Sequence, residues 1–253
     1  MVLCLFCSFL FLLCKSRTTG PPFPAYQRGT GKGGLIAGRV PCSPAPRMVS
    51  SLACSTRKGR LVMELDTSAS IWQGKLVRLR SHEPGDWENY WIWDQDSESE
   101  RKDGPLSFPR SQERMKHWTQ EAAVRKQEGN NWNFLIENNE GKVVGRIGSH
   151  DRDPRVGHFG YGLAISKEHR RKGYASEVIL LLLRYFFQEL RYQKVTIQVA
   201  SFNEDSIGLH EHLGFQLEGR IRRAIFTKGQ YFDVLNYGLT VEEFEEKHAH
   251  KFS

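Results

Sequence analysis

Six consecutive residues, Arg170-Arg171-Lys172-Gly173-Tyr174-Ala175, have the makings of an anion site. They follow His158–Ser166, which reads as a strand, and precede a nearly continuous apolar run over 175–190 that reads as a helix. The free N–H groups at a helix start, with the positive end of its dipole, favour a phosphate in such a loop. Gly173 lets the backbone approach a ligand closely, and Ala175 keeps the helix entrance open. Arg170, Arg171 and Lys172 add positive charge. A solvated basic loop capping a helix has the same composition; the strand–loop–helix context favours the phosphate.

A second cluster begins 28 residues further on: Asn203-Glu-Asp-Ser206-Ile-Gly-Leu209-His210-Glu-His-Leu213-Gly214-Phe215, directly after a strand at Lys194–Ala200. The elements that position both clusters read in the order β-α-α-β-β-β-α-β-α-β-β. An alternating strand at 75–80 leads to a helix opened by Pro84-Gly85-Asp86, and a polar stretch from Asp94 to Gly104 leads to a second helix over Gln112–Gln127. Strands are expected at Asn133–Glu137, Lys142–Ser149 and His158–Ser166. Glu177, Arg184, Gln188 and Arg191 make one narrow polar stripe on an otherwise buried helix. A short helix, Ser206–Leu213, is closed by Gly214, and a hairpin over Gly219–Leu239 turns at Lys228-Gly229.

The chain has 253 residues, 39% apolar and 26% charged, which excludes a multispan membrane protein. Its net charge of +7 suggests a polyanion binder until the charge is located. Residues 1–63 hold nine of the 36 Lys and Arg and no Asp or Glu, so the remaining 190 residues carry 27 basic and all 29 acidic side chains, a net of −2. The basic character belongs to a tail, and a nucleic-acid partner does not follow from it. All five cysteines lie in the first 54 residues, so the rest has no thiolate for a metal, a disulfide or a nucleophile. This suits the reducing cytoplasm.

The tail itself opens on a 12-residue apolar run, residues 2–13, short of the roughly 20 residues a membrane-spanning helix needs. Residues 15–62 hold six of the ten prolines and no hydrophobic period, which predicts disorder. Three readings stay open: a disordered tail, an organellar transit peptide, or sequence upstream of a start at Met48 or Met63. Gly29-Thr30-Gly31-Lys32-Gly33-Gly34 matches a dinucleotide fingerprint but lacks the preceding strand and the ribose-binding acid. Cys4-x-x-Cys7 lies inside the apolar run without a second pair, so no metal is expected. The expected division is an extension over 1–69, one domain over 70–245 and a tail over 246–253.

The loop Arg170–Ala175 together with Asn203-x-x-Ser206-x-x-Leu209-His210-x-x-Leu213-Gly214-Phe215 resembles the GNAT superfamily of N-acetyltransferases. The opening strand Leu76-Val-Arg-Leu-Arg80 and the hairpin at Lys228-Gly229-Gln230-Tyr231 are most similar to the ribosomal-protein N-terminal and spermidine acetyltransferases. The resemblance implies one α/β domain, a mixed and mostly antiparallel sheet of about seven strands flanked by helices. It implies acetyl-CoA as co-substrate, with pyrophosphate on the Arg171–Ala175 backbone beside Arg170, and with Ser206 near the same ligand. Pantetheine would lie along Leu163-Ala164-Ile165 like an added strand, contacted by the Asn203 amide. An amine would attack the thioester directly, with a backbone N–H near Leu163–Ile165 holding the oxyanion.

Two departures from the family pattern bear on mechanism. His210 stands where a Tyr commonly protonates the thiolate; imidazole can do that work, or His210 can simply pack near pantetheine. Gly160, within Phe159-Gly160-Tyr161-Gly162, stands where relatives often carry a Glu, so the usual base is missing; His158, Asp151 and a water chain are candidates to replace it. Asp94, Asp96, Glu98, Glu100 and Asp103 form either an acidic rim for a cationic acceptor or a solvated loop. Trp87, Trp91, Trp93 and Trp132 belong to the core or the slot wall, and Arg220, Arg222 and Arg223 to a solvated strand face. The expected acceptor is a primary amine, either a protein N-terminus or a small polyamine-like molecule, taken by a monomer or homodimer. A non-catalytic acyl-CoA-binding module is the competing reading.

Overall fold

The computed structural model describes residues 54–57, 60–63, 67–125, 132–248 and 250. The apolar run at 2–13, the Gly29–Gly34 fingerprint and the Cys4/Cys7 pair lie outside the described residues, as does most of the expected extension. Within that extension β1 (Cys54–Arg57) and β2 (Arg60–Met63) pair antiparallel as a small hairpin.

The larger unit is one seven-stranded sheet flanked by helices. Its strands are β3 (Val77–Arg80), β4 (Asn133–Asn138), β5 (Val143–Asp153), β6 (His158–Ile165), β7 (Lys194–Ala200), β8 (Gln216–Thr227) and β9 (Gln230–Thr240). They lie side by side in the order β3-β4-β5-β6-β7-β9-β8, antiparallel except for β6 beside β7. The turns follow from sequence. Asn138 Oδ1 accepts from the N–H groups of Glu140 and Lys142 and folds β4 back into β5. Lys228 and Gly229 both take left-handed backbone, φ 51° and 76°, as a tight two-residue hairpin requires.

Among the described residues six α-helices accompany the sheet: α1 (Trp87–Trp93), α2 (Ser97–Asp103), α3 (Gln112–Val124), α4 (Tyr174–Arg184), α5 (Glu204–Leu213) and α6 (Val241–His248). Two were not expected. The stretch Asp94–Gly104, read as a polar connection, contains α2. Asp96 caps it by accepting from the N–H groups of Glu98 and Ser99, with acids in the first turn and bases in the last. The second, α6, runs three residues past the boundary expected at 245, and the buried His248 places Nε2 2.8 Å from the Leu213 carbonyl oxygen.

The core lies between the sheet and α4, whose residues Val178–Leu183 are all buried. Beyond Arg184 the helix widens into one π-helical turn, Tyr185–Glu189. That turn sends three consecutive aromatic rings to different neighbours: Tyr185 to Trp72, Phe186 onto Phe159 at 3.9 Å, and Phe187 to Phe244. Glu177, expected on a solvated stripe, instead accepts from the backbone N–H groups of Lys75, Leu76 and Val77 at 2.7, 2.8 and 2.9 Å. Its carboxylate thereby pins the start of β3 to the start of α4. Arg191, assigned to the same stripe, lies beyond the helix with φ 59°.

Candidate active site

The sheet opens where β6 meets β7. These strands pair only at His158↔Lys194 and Phe159↔Val195, and form no further ladder pairs as they run on. Gly160 to Ile165 therefore present a strand edge toward the gap. Leu163 and Ile165 pack their side chains against the core, while Ala164 lies on the opposite face beside Arg146. Tyr161, His210 and Phe215 fill the space beneath the opening, with the Tyr161 and His210 ring centroids 5.9 Å apart.

The strand edge leads into the basic loop. Lys167–His169 make a single 3-10 turn closed by Ser166 Oγ and His169 Nδ1 at 2.8 Å. Arg171 (φ 60°) and Gly173 (φ 82°) both take left-handed backbone, which turns successive N–H groups toward one side. Gly173 is the helix cap, so no side chain competes for the first N–H groups of Tyr174 and Ala175. A Cβ at Gly173 would lie 3.2 Å from Leu76 Cδ1. Arg171 is largely exposed with Asp205 3.5 Å away, and Lys172 is also exposed. Arg170 differs from expectation. Its guanidinium turns inward, donating to the Ile165 carbonyl at 3.1 Å and to Ser99 Oγ at 2.7 Å, so it latches the loop to α2 rather than adding mobile charge.

Asn203 caps α5 through Oδ1, which accepts from Ser206 N, and its Nδ2 donates to the Lys102 carbonyl at 3.3 Å. The amide expected to meet pantetheine thus sits at the gap with a partner on α2. Ser206 Oγ lies 3.3 Å from His210 Nδ1.

His210 is buried, and its two nitrogens are assigned by their partners. Nδ1 lies 2.7 Å from the Ser206 carbonyl oxygen, an acceptor only, so Nδ1 carries the proton. Nε2, 2.8 Å from Tyr161 Oη, must then accept from the Tyr161 hydroxyl. Burial lowers the His210 pKa to about 4 and raises that of Tyr161 well above its ordinary value. The ring, expected either as the acid for the thiolate or as packing near pantetheine, joins α5 to β6 through these two partners.

α2 spans the opening. Asp103 pairs with Arg146 of β5, Lys102 with Asp205 of α5 at 2.9 Å, Glu98 with Lys228 of the β8–β9 turn at 2.6 Å, and Arg101 donates to Thr227 Oγ1 at 2.6 Å. Asp94 pairs with Arg110, and Glu100 accepts from the Ser107 N–H. The five acids expected as a free rim or a solvated loop are thus all engaged.

On the sheet face that carries Arg146, the β5–β6 register aligns Arg146↔Ala164, Gly148↔Gly162 and His150↔Gly160. A Cβ at Gly162 would meet nothing within 4 Å, so this floor is bare beside the gap. Of the bases expected, His158 places Nε2 2.7 Å from Thr196 Oγ1, and the Asp151 carboxylate meets His150 Nδ1. Trp132 packs on Trp72 and Phe134, Trp93 on Tyr90, and Trp87 beneath Lys116. Arg220 and Arg223 lie exposed on the β8–β9 face, paired with Asp233 and stacked over Tyr231, and Arg222 is exposed beside them. Among the described residues no cluster of three His, Cys, Asp or Glu could hold a metal, and no helix is long and apolar enough to cross a membrane.

A sheet that parts at two parallel strands, above a basic left-handed loop at a helix start, defines an acyltransferase architecture. Residues 77–216 match the acetyltransferase (GNAT) domain family. Over 183 residues, 72% of this chain and 99% of the relative, the sequence is 43% identical to the SPbeta prophage-derived uncharacterized N-acetyltransferase YokL of Bacillus subtilis. It is 29% identical over 101 residues, 40% of this chain and 58% of the relative, to the spermidine N(1)-acetyltransferase of Vibrio cholerae. The crystal structure of spermidine N-acetyltransferase from Vibrio cholerae in complex with CoA and spermine shares the fold, with TM-score 0.59 and 20% identity over 68% of this chain and 99% of that one. The chain belongs to the GNAT acetyltransferase family, and its activity is acetyl transfer.

Proposed function

We propose that this protein transfers the acetyl group of acetyl-CoA to a primary amine, by direct attack with both substrates bound together. The observation that carries this reading is the pairing of β6 with β7 at two positions only, with the freed strand edge leading into the left-handed Arg171 and Gly173. The N–H groups of residues 171–175 suit the pyrophosphate, with Arg171 and Lys172 supplying charge. The edge at Leu163–Ile165 offers backbone groups to the amide arm and one N–H to the developing oxyanion. Asn203 and Ser206, at the start of α5, border the same gap, and Arg170 holds the loop in place.

The acceptor is a protein N-terminal α-amine or a small polyamine-like amine, entering over the bare floor at Gly162. Such amines are mostly protonated at neutral pH, with pKa values of roughly 8 and above, and must lose a proton before attack. The proton shed as the N–C bond forms can pass to the departing sulfur. The reducing cytoplasm suits the cysteine-free domain.

The test is release of free thiol from acetyl-CoA by the full chain. The acceptor panel is spermidine, a ribosomal-type N-terminal peptide, a lysine peptide and an aminoglycoside, with Gly173→Asp as control. Release with one acceptor, lost in the control, is the expected result and names the substrate class. Acetyl-CoA binding with no thiol release from any amine would favour an acyl-CoA-binding module instead.

A further inference from the structure

The geometry points to a His150–Asp151 dyad as the general base that deprotonates the acceptor amine, an inference that rests on the function proposed above. His150 lies on β5 directly opposite Gly160 of β6, on the same face as the open Gly162 and as Gly148, which the Asn133 side chain covers. Gly160 is what admits the ring there: a Cβ at that position would come within 2.6 Å of His150 Cε1 and 2.9 Å of Nδ1. The glycine that replaces the expected acid thus makes room for an imidazole from the neighbouring strand.

The ring is oriented as a base must be. Its Nδ1 lies 2.9 Å from Asp151 Oδ2, so Nδ1–H donates to the carboxylate and the lone pair belongs to Nε2. Among the described residues Nε2 has no hydrogen-bond partner. Asp151 reaches the ring because its own backbone is left-handed, φ 46°, at an irregularity where the β5–β6 register shifts between His150 and Asp153. The other two candidates are less suited: His158 spends Nε2 on Thr196, and Asp151 spends its carboxylate on His150. Gly160 and Gly162 are about 7 Å apart along the strand, which an imidazole spans through one water.

In the step proposed, His150 Nε2 takes one proton from the ammonium. The amine nitrogen then bonds to the thioester carbon, the C–S bond breaks, and the second amine proton goes to the sulfur. Overall the ammonium and acetyl-CoA give the amide, free CoA thiol and one proton, which the partly exposed His150 ring returns to solvent. His150 is the catalytic residue and Asp151 a positioning residue. The charged and titratable groups facing them are Arg146 and Arg152 on the same strand, His158 on β6, and Lys194 paired with Glu218 across β7 and β8.

The experiment compares His150→Gln and Asp151→Asn with the native full chain, using the acceptor that the panel identifies. Without the base only amine already neutral in solution reacts. At pH 7 His150→Gln should lose about 100-fold in kcat/KM, and the deficit should shrink about tenfold per pH unit toward the amine pKa. Asp151→Asn, which tolerates the left-handed backbone, should show a smaller deficit with the same pH trend. Acetyl-CoA affinity should not change in either. Full activity of His150→Gln at pH 7, or a deficit equal at every pH, would overturn the dyad while leaving the proposed function intact. Loss of acetyl-CoA binding in both variants would also overturn it, as a structural effect. If the native chain itself turns over no amine, it is the proposed function that fails.

Discussion

Replacing His210 by Phe separates two consequences of burying that ring. Near pH 7.5 the imidazole is neutral whether the chain is folded or not, so the substitution changes only contacts. Phenylalanine keeps the shape but removes the acceptor for the Tyr161 hydroxyl, which is itself only 5% exposed. An orphaned buried hydroxyl costs about 1–3 kcal/mol. In acid the balance changes. The folded ring has its pKa lowered to about 4 by burial, while the unfolded one titrates near 6.5. The unfolded state therefore binds the proton first, and stability present above pH 6.5 is lost as pH falls toward 4. By about pH 4.5 this single ring has removed roughly 2.5 kcal/mol from the native protein and nothing from the variant. The stability gap between the two should thus close between about pH 6.5 and pH 4.5. Urea melts of both proteins at several pH values measure it, with the slope m required to stay constant. A gap that stays the same at every pH would mean the ring titrates normally, and the burial argument would fall. Adding Tyr161→Phe should restore part of the loss at neutral pH, since removing both partners leaves no orphan.

Two further outcomes follow from the same geometry. Glu177→Ala strands three backbone donors at Lys75, Leu76 and Val77 and should cost about 2–3 kcal/mol in denaturant unfolding, with Glu177→Gln recovering part of it. Gly162→Val places a side chain where a Cβ meets nothing, so stability should stay within about 0.5 kcal/mol of the native chain. Acetyl-CoA affinity should also hold, and kcat/KM for the amine should fall at least about tenfold as the floor of the acceptor path fills.

The elements with strong periodicity or strong turn residues were legible from the sequence. The strands at 133–138 and 194–200, the α4 core and the Lys228-Gly229 hairpin all carry such signals. The loop at Arg171–Ala175 was legible because glycine in a strand–loop–helix context has few structural uses. What sequence could not show was where each polar side chain spends its hydrogen bonds. Glu177 looks like solvent stripe until its three partners, about a hundred residues away, are seen. The partners of His210, the Ser206 carbonyl and the Tyr161 hydroxyl, are likewise invisible in the sequence. α2 carried a usable signal, since Asp96 before Ser97 with acids early and bases late is a cap and a charge gradient. Hydrophobic period alone cannot find a helix that buries none of its residues.

That short helix decides how the acceptor side is to be understood. Seven residues do not form a stable helix in water, so α2 depends on what it touches. What it touches is charged: Arg146 on β5, Asp205 on α5, Lys228 at the far hairpin, and Arg170 through Ser99. The acids between 94 and 103 therefore hold α2 across the gap, and each carboxylate so used is partly neutralised as an attractor of cations. A polycation would have to compete with Arg and Lys partners already in place. Arg146 on the neighbouring sheet face is in turn matched by Asp103, so that pair leaves little net charge beside the Gly162 floor.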